Sequence, residues 1–308
     1  ELLTEKMGVS AEDLAVSVLR EDDEADELWS NSIGIPEEKI FRLDEKENFW
    51  SVGETGPCGP CSEIHFHFGR PDTCTSTICD PSCECGRWLE LWNLVFMQFN
   101  RDESGNMNPL PRPSIDTGGG LERWAAILQG VKNNFDTDLF AGTLARAQDV
   151  SGVSLGESVE KDVSLRVTAD HARTLAVMIG DGVLPSNAGR GYVLRRILRR
   201  GSRHGVLLGV EEPFLYKMAD AAIDELGEAY PDLVERREFI LGRIKRDEER
   251  FLTTLSKGLQ LLEEEIHEAK ERGEASLDGQ TAFKLYDTFG FPLDLTADIL
   301  QGHAMEVD

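Results

Sequence analysis

Near residue 150 the apolar pattern of this chain changes period, and that change limits the fold more than any other feature. Before it, "AVSVLRED", "FWSVGE", "SEIHFHFG", "LELWNLVFMQFN" and "LPRPSIDTG" alternate or carry β-branched and aromatic residues between Gly, Pro and Asp turns, as strands do. "DDEADELWSNSIG" and "LERWAAILQGV" read as helices among them. From about residue 163 the spacing is helical, over 163–180, 189–208, 212–228 and 233–272. In the last segment Ile240, Ile244, Phe251, Leu255, Leu259, Leu262 and Ile266 form an irregular stripe, which suits a bundle better than a coiled coil. Strands followed by helices predict an α+β chain of two domains, and the Gly- and Ser-containing stretch 149–162 is the best linker. The boundaries expected are 1–150 and 151–308.

Composition narrows the partners. Asp and Glu number 57 against 32 Lys and Arg, a net charge of −25. That balance opposes indiscriminate binding to nucleic acid or anionic membranes, and no DNA partner is expected. No apolar run approaches the ~18 residues of a membrane span, and there is no signal-peptide pattern, so a cytoplasmic protein without a membrane partner is expected. The chain opens on Glu1 and stops at "GHAMEVD", which reads as an internal part of something longer.

Against this acidity, residues 182–210 contain no carboxylate, where average usage would put about five, and hold six arginines. At about 100° per residue, Arg195, Arg196, Arg199, Arg200 and Arg203 fall on one side of a helix. Val193, Leu194, Ile197 and Leu198 fall on the other, apolar side. A solvated face paired with neighbouring acids is the plain reading. No acid stands at i±3 or i±4, however, and a concentrated basic patch on an acidic chain suits a polyanion held in one place.

"SIDTGGGLERWAAIL", 114–128, reads as strand, glycine turn and helix, an arrangement able to hold a phosphate. It is no Walker loop, for lack of Gly-Lys-Ser/Thr, and no dinucleotide fingerprint, because Arg123 stands at the third glycine. An ordinary tight turn with a surface arginine is the alternative.

Six cysteines lie within 28 residues and none follows. "CTSTICDPSCECG" spaces Cys74, Cys79, Cys83 and Cys85 as C-x4-C-x3-C-x-C. Four thiolates suit tetrahedral Zn2+; free thiols and an iron–sulfur cluster are the alternatives. "CGPC", 58–61, has a redox-like spacing, but its Gly and Pro imply a rigid turn with a structural role. His65 and His67 share a strand face and read as strand residues near a cleft.

"DTGGGLERWAAIL" resembles motif 3 of class II aminoacyl-tRNA synthetases. Together with "NFWSVGETGPCGPCSEI", "LWNLVFMQFNR", "ADHARTLAVMIGDGVLPSNAGRGYVLRRILRR" and "TAFKLYDTFGFPLDLT", it resembles the alanyl-tRNA synthetase family over essentially the whole chain. The resemblance implies an antiparallel class II sheet with flanking helices, then an all-α domain for the tRNA acceptor stem. It implies activation of alanine with ATP and Mg2+, and transfer to the 3′ end of tRNA(Ala). Asp116, as a buried carboxylate, is then expected to hold the alanine ammonium. Trp50, Asn93 and Val95 line a pocket for one methyl, although Trp50 and Val95 suit a plain core as well. Gly118, Gly120 and Arg123 are expected at ATP, and Glu63 at Mg2+ or as an ordinary strand-edge carboxylate. The basic helix, with Arg190, Arg195, Arg196, Arg199, Arg200 and Arg203, is expected to face the acceptor stem.

Asn187 and Asp287 match positions that read a G·U pair, whose guanine 2-amino group donates into the shallow RNA minor groove. Either residue also suits a helix cap or turn. Motif 1, the motif 2 arginine and the editing domain are not in these 308 residues, so the segment alone is expected to be inactive. Substantial alanine-dependent ATP–pyrophosphate exchange by the isolated segment would refute that. Two rival readings are a non-catalytic RNA-binding module and a cysteine-based metal or redox protein. Asp116, Asn93 and the glycine turn together weigh against the first; thiol titration and metal content test the second.

Overall fold

The computed structural model describes residues 1–289, 291 and 293–307. It divides into two compact units, Glu1–Thr137 and Asp138–Asp308.

The first unit is built on a six-stranded sheet. Its strands are β1 (Leu14–Leu19), β2 (Ile40–Leu43), β3 (Phe49–Ser51), β4 (Gly56–His67), β5 (Trp88–Arg101) and β6 (Met107–Gly119). The order is β2-β1-β4-β5-β6, with β3 also paired to β4. Pairing is antiparallel except between β1 and β2, which are parallel. Three α-helices accompany the sheet: α1 (Asp23–Glu27), α2 (Glu45–Asn48) and α3 (Leu121–Leu128). β1 is the buried centre, with Ala15, Val16, Ser17 and Val18 all buried. β6 is an edge strand, and it tolerates Pro109, Pro111 and Pro113 for that reason.

"CGPC" is not a turn. Residues 58–61 lie inside β4, at a register shift between Cys58 and Cys61. Both thiols are buried and unlinked. Burial, with Glu63 nearby, pushes Cys61 up to about 12, so it is no thiolate at neutral pH. Extended backbone prevailed over the Gly-Pro signal because the segment crosses between two partner strands, β3 and β5. Gly59 is required there: a Cβ would lie 1.9 Å from the Phe96 carbonyl oxygen.

The second unit is mainly helical, with α4 (Asp138–Ser151), α5 (Val159–Gly180), α6 (Gly189–Leu207), α7 (Leu215–Leu226), α8 (Pro231–Glu235), α9 (Arg237–Glu271), α10 (Gly279–Phe289) and α11 (Leu293–Gly302). A short pair, β7 (Ser276–Leu277) and β8 (Glu306–Val307), closes its end. α9 packs against α5, α6, α7 and α10, as a bundle helix. Buried Leu165, Ala169, Ala172, Ala176 and Ile179 of α5 follow the 3–4 spacing of one helix face.

The buried stripe of α6 differs from the expected one. It runs through Gly191, Leu194, Leu198, Gly201 and Gly205, while Val193 is 52% exposed. Three of its members are glycines, which a count of apolar residues overlooks. They allow close packing: a Cβ on Gly205 would fall 2.0 Å from the Phe214 ring.

Glu248 interrupts the apolar stripe of α9 and is fully buried. Its Oε2 accepts the amides of Phe214 and Leu215 at 3.0 Å each, capping α7 from a neighbouring helix, and Ser202 Oγ donates to Oε1 at 3.4 Å. Burial pushes the carboxyl up to about 8, against the pull of those donors. Unfolding therefore releases a proton between the ordinary carboxylate range and about pH 8. The residue's contribution is fully present below about pH 4.5 and is lost as pH rises through about 8. Glu248→Gln keeps the acceptor and removes the titration. Tm measured from pH 5 to 9 should fall less steeply in that variant, and parallel curves for the two proteins would contradict the assignment.

Candidate functional site

The first unit holds a cavity of about 310 Å³ on one face of its sheet, lined by Trp50, Glu90, Asn93, Val95, Asp116, Thr117, Gly118 and Gly120. Register brings these together. Asp116 pairs with Val95 and Gly118 with Asn93 across β5 and β6, so all four positions share a face. Trp50 arrives from β3, paired with Gly59.

Glu90 was not expected from the sequence. It stands three positions before Asn93, an odd offset that strict alternation would put on opposite faces. Ile64 pairs with Trp92 but His65 with Glu90, leaving Leu91 as a bulge that turns Glu90 to the cavity side. Its carboxylate takes the Arg123 guanidinium at 2.6 Å, and its backbone oxygen takes the same Nη1 at 3.1 Å. Both side chains are more than a third exposed, so the pair is exchangeable rather than a structural anchor. α3 is tied to β5 by Trp124 packing edge-on against Trp92, 5.4 Å between rings. Gly120 is the N-cap of α3 and offers no side chain to its first amides.

Asp116 is exposed, not buried as expected, because the edge strand β6 has no neighbour on its outer side among the described residues. Its Oδ1 accepts the Thr117 amide at 2.8 Å. Glu63 is not among the cavity-lining residues. It supports Asn93 from beneath, accepting from Asn93 Nδ2 at 2.9 Å. Burial, with Glu90 and Glu47 nearby, raises its pKa to about 8, and its other oxygen lies 3.4 Å from His65 Nε2. So placed, both Glu63 oxygens lie against protein partners, Asn93 and His65, rather than on the cavity. His65 is buried and hydrogen-bonded to Ser17 Oγ at 2.9 Å. Burial, then Arg123, lowers its pKa to about 4, which keeps it neutral. With Asn93 Nδ2 committed to Glu63, Asn93 Oδ1 is a buried acceptor with no partner among the described residues.

The second unit holds a polar cavity of about 430 Å³ lined by, among others, Asn187, Arg195, Arg199, Arg243, Arg250 and Asp287. Arg243 and Arg250 come from α9 and were not expected; the acid-rich sequence around them hides the cluster. Arg195 and Arg199 are half-buried at the border of the α6 stripe, not on a free solvent face. The Arg199 guanidinium lies 5.2 Å from the Phe251 ring centroid. Burial, then Arg195, lowers its pKa to about 10, leaving it charged at neutral pH. Arg195 Nη1 donates to Asn187 Oδ1. Asn187 therefore does not cap α6, whose N-cap is Ala188, and Asp287 lies within α10 rather than at its end. Arg190, Arg196 and Arg200 are exposed, and Arg203 is half-buried.

Cys74, Cys79, Cys83 and Cys85 converge, with all four sulfurs within 4.8 Å of one another. No helix among the described residues is long and apolar enough to cross a membrane.

A mixed, mostly antiparallel sheet flanked by helices, with a glycine turn leading into one of them, is consistent with the class II tRNA synthetase fold. The chain matches the family described as tRNA synthetases class II (A) over residues 1–308, and it belongs to that family. Among curated relatives it is 50% identical to the alanine–tRNA ligase of Thermoanaerobacter sp. (strain X514) over 308 residues, all of this chain and 35% of that protein. Against the alanine–tRNA ligases of Natranaerobius thermophilus and Desulforamulus reducens, identity is 49% and 48%, each over the whole chain and 35% of the relative. The chain thus spans about a third of the length of the curated relatives it matches.

Proposed function

We propose that this chain supplies the alanine pocket, one wall of the ATP site and an acceptor-stem surface of an ATP-dependent alanine–tRNA ligase. The observation that carries the reading is the 310 Å³ cavity, in which Asn93 Oδ1 and the Asp116 carboxylate are two acceptors beside the Trp50 and Val95 wall. An α-ammonium brings three donors, and its methyl meets the apolar wall. A larger side chain meets Val95, which is 7% exposed and held in the sheet. Specificity against smaller substrates rests on little, since one methyl distinguishes them weakly.

The alanine carboxylate is itself the nucleophile towards the ATP α-phosphate, so the protein contributes positioning and charge rather than a general base. Arg123 exchanges Glu90 for phosphate oxygens, a bidentate contact that a guanidinium makes well. Gly118 and Gly120 let the nucleotide approach the backbone. Glu63 acts through Asn93, holding its amide so that the oxygen faces the substrate.

In the second unit, Arg195 and Arg199, with Arg243 and Arg250, form the phosphate-facing wall of an acceptor-stem site. Asp287, an exposed carboxylate, is the acceptor for a guanine 2-amino group. Asn187 lies across the same cavity with its oxygen shared with Arg195. Binding of acceptor-stem hairpins to this chain tests the reading. A G·U hairpin should be preferred over its G·C twin by roughly 1–3 kcal/mol, the scale of one base-edge contact. Equal affinity would overturn recognition through Asn187 and Asp287. Arg199→Ala should weaken both hairpins alike and lower the salt dependence.

A further inference from the structure

We propose that Cys74, Cys79, Cys83 and Cys85 bind one structural zinc ion, and that this ion fixes the strand carrying Glu90 and Asn93. The argument is independent of the alanine reading. Cys74 and Cys83 sulfurs lie 3.9 Å apart, and Cys79 and Cys85 sulfurs 3.7 Å apart. A tetrahedron of Zn–S bonds of about 2.3 Å requires sulfur separations of about 3.8 Å. These spacings are far beyond the ~2.05 Å of a disulfide. Two thiolates on one iron of a cluster would also stand this far apart, but here all four sulfurs lie within 4.8 Å of one another, too close for ligands on different irons. A single tetrahedral ion is the species they fit.

The chain around the thiols has no regular structure and no apolar core to order it. Residues 68–87, between β4 and β5, contain no helix or strand. A connection of that length without regular structure is uncommon in a compact domain. Its one large aliphatic residue, Ile78, is 71% exposed, so it builds no core of its own.

The cluster is keyed to β5 through one atom. The Cys79 carbonyl oxygen accepts from Trp88 Nε1 at 3.1 Å and from Arg87 Nη1 at 3.2 Å. The Arg87 guanidinium covers the Trp88 ring at 4.5 Å. Trp88 in turn packs edge-on against Phe41 at 5.3 Å and His67 at 5.5 Å. Glu90, which holds Arg123, stands two residues further along β5. Loss of the ion frees Cys79, then Trp88, and loosens the start of the strand at the bulge.

Metal analysis of the full chain, purified without chelator, should find about one zinc per chain. Less than about half an equivalent of zinc, or iron in its place, overturns the proposal. Replacement by Co2+ should give sulfur-to-cobalt charge transfer and visible bands of a tetrahedral thiolate site; octahedral bands overturn it. Cys79→Ser and Cys83→Ser should each lose the ion, whereas Cys58→Ser retains it. Should those variants not fold, mercurial titration of the unaltered chain replaces them: zinc release should track modification of four thiols, and release without thiol loss overturns the assignment. Hydrogen exchange of residues 88–93 should speed about 10-fold or more after the ion is stripped. Unchanged exchange there overturns the coupling to β5.

Discussion

Asp116→Asn, in a chain of the relatives' length, lowers kcat/KM for alanine in ATP–pyrophosphate exchange by about 100-fold, the scale of a lost hydrogen bond between charged groups. KM for ATP stays nearly constant if, as proposed, Asp116 meets the amino acid and not the nucleotide. The carboxylate is exposed in the free chain, so its replacement leaves stability unchanged. That separation makes the experiment clean: a fall of less than about 3-fold, with Tm unaltered, removes Asp116 from the ammonium site. Asn93→Ala has the converse signature. It strips Glu63 of its donor as well as the cavity of its buried acceptor, so stability and alanine KM change together.

Gly59→Ala produces the largest loss of stability, about 3 kcal/mol or more, at the upper end of overpacking costs because the obstacle is backbone. The added methyl would sit 1.9 Å from the Phe96 carbonyl oxygen and 3.0 Å from the Gln98 nitrogen. Neither atom can move without opening the β4–β5 ladder. In a unit of this size the melting temperature falls by about 10 °C. Gly59 pairs with Trp50, so the cavity wall shifts as well. An unchanged melting temperature would mean that the two strands are not joined as described. Gly53→Ala is the control, since its nearest atom is 3.9 Å away.

Much of the fold was legible because long alternating or periodic segments declare themselves. β1, β5, β6, α5, α6, α7 and α9 fall where the sequence pattern puts them, whereas the pattern shows β4 only from Ser62 onward. What was hidden has identifiable causes. β2 is four residues long, too short for alternation to register, and its parallel pairing with β1 leaves no trace in composition. In α4, Phe140, Thr143, Leu144 and Ala147 keep the helical spacing, but Thr and Ala dilute the apolar signal.

At the site, Trp50, Asn93, Val95, Asp116, Gly118 and Gly120 surround one cavity, whereas Glu90 was concealed by the bulge at Leu91. Arg243 and Arg250 were concealed by distance: no window of the sequence joins residues 195 and 250. The stripe of α6 was misjudged because glycine contributes to packing by absence of volume.

The prolines of β6 have a consequence for self-association. An imino acid cannot donate to a neighbouring strand, and Pro109, Pro111 and Pro113 occupy alternate positions along the outermost strand. Pro111 and Pro113 also fall where the register with β5 slips, between Met97 and Phe99. A second molecule therefore finds no continuous row of donors on which to dock by sheet extension, and fibril-like propagation is blocked along this margin. Beyond Met107 and Asn108, only the segment from Ser114 to Gly119 is spared, and it is the part that borders the 310 Å³ cavity.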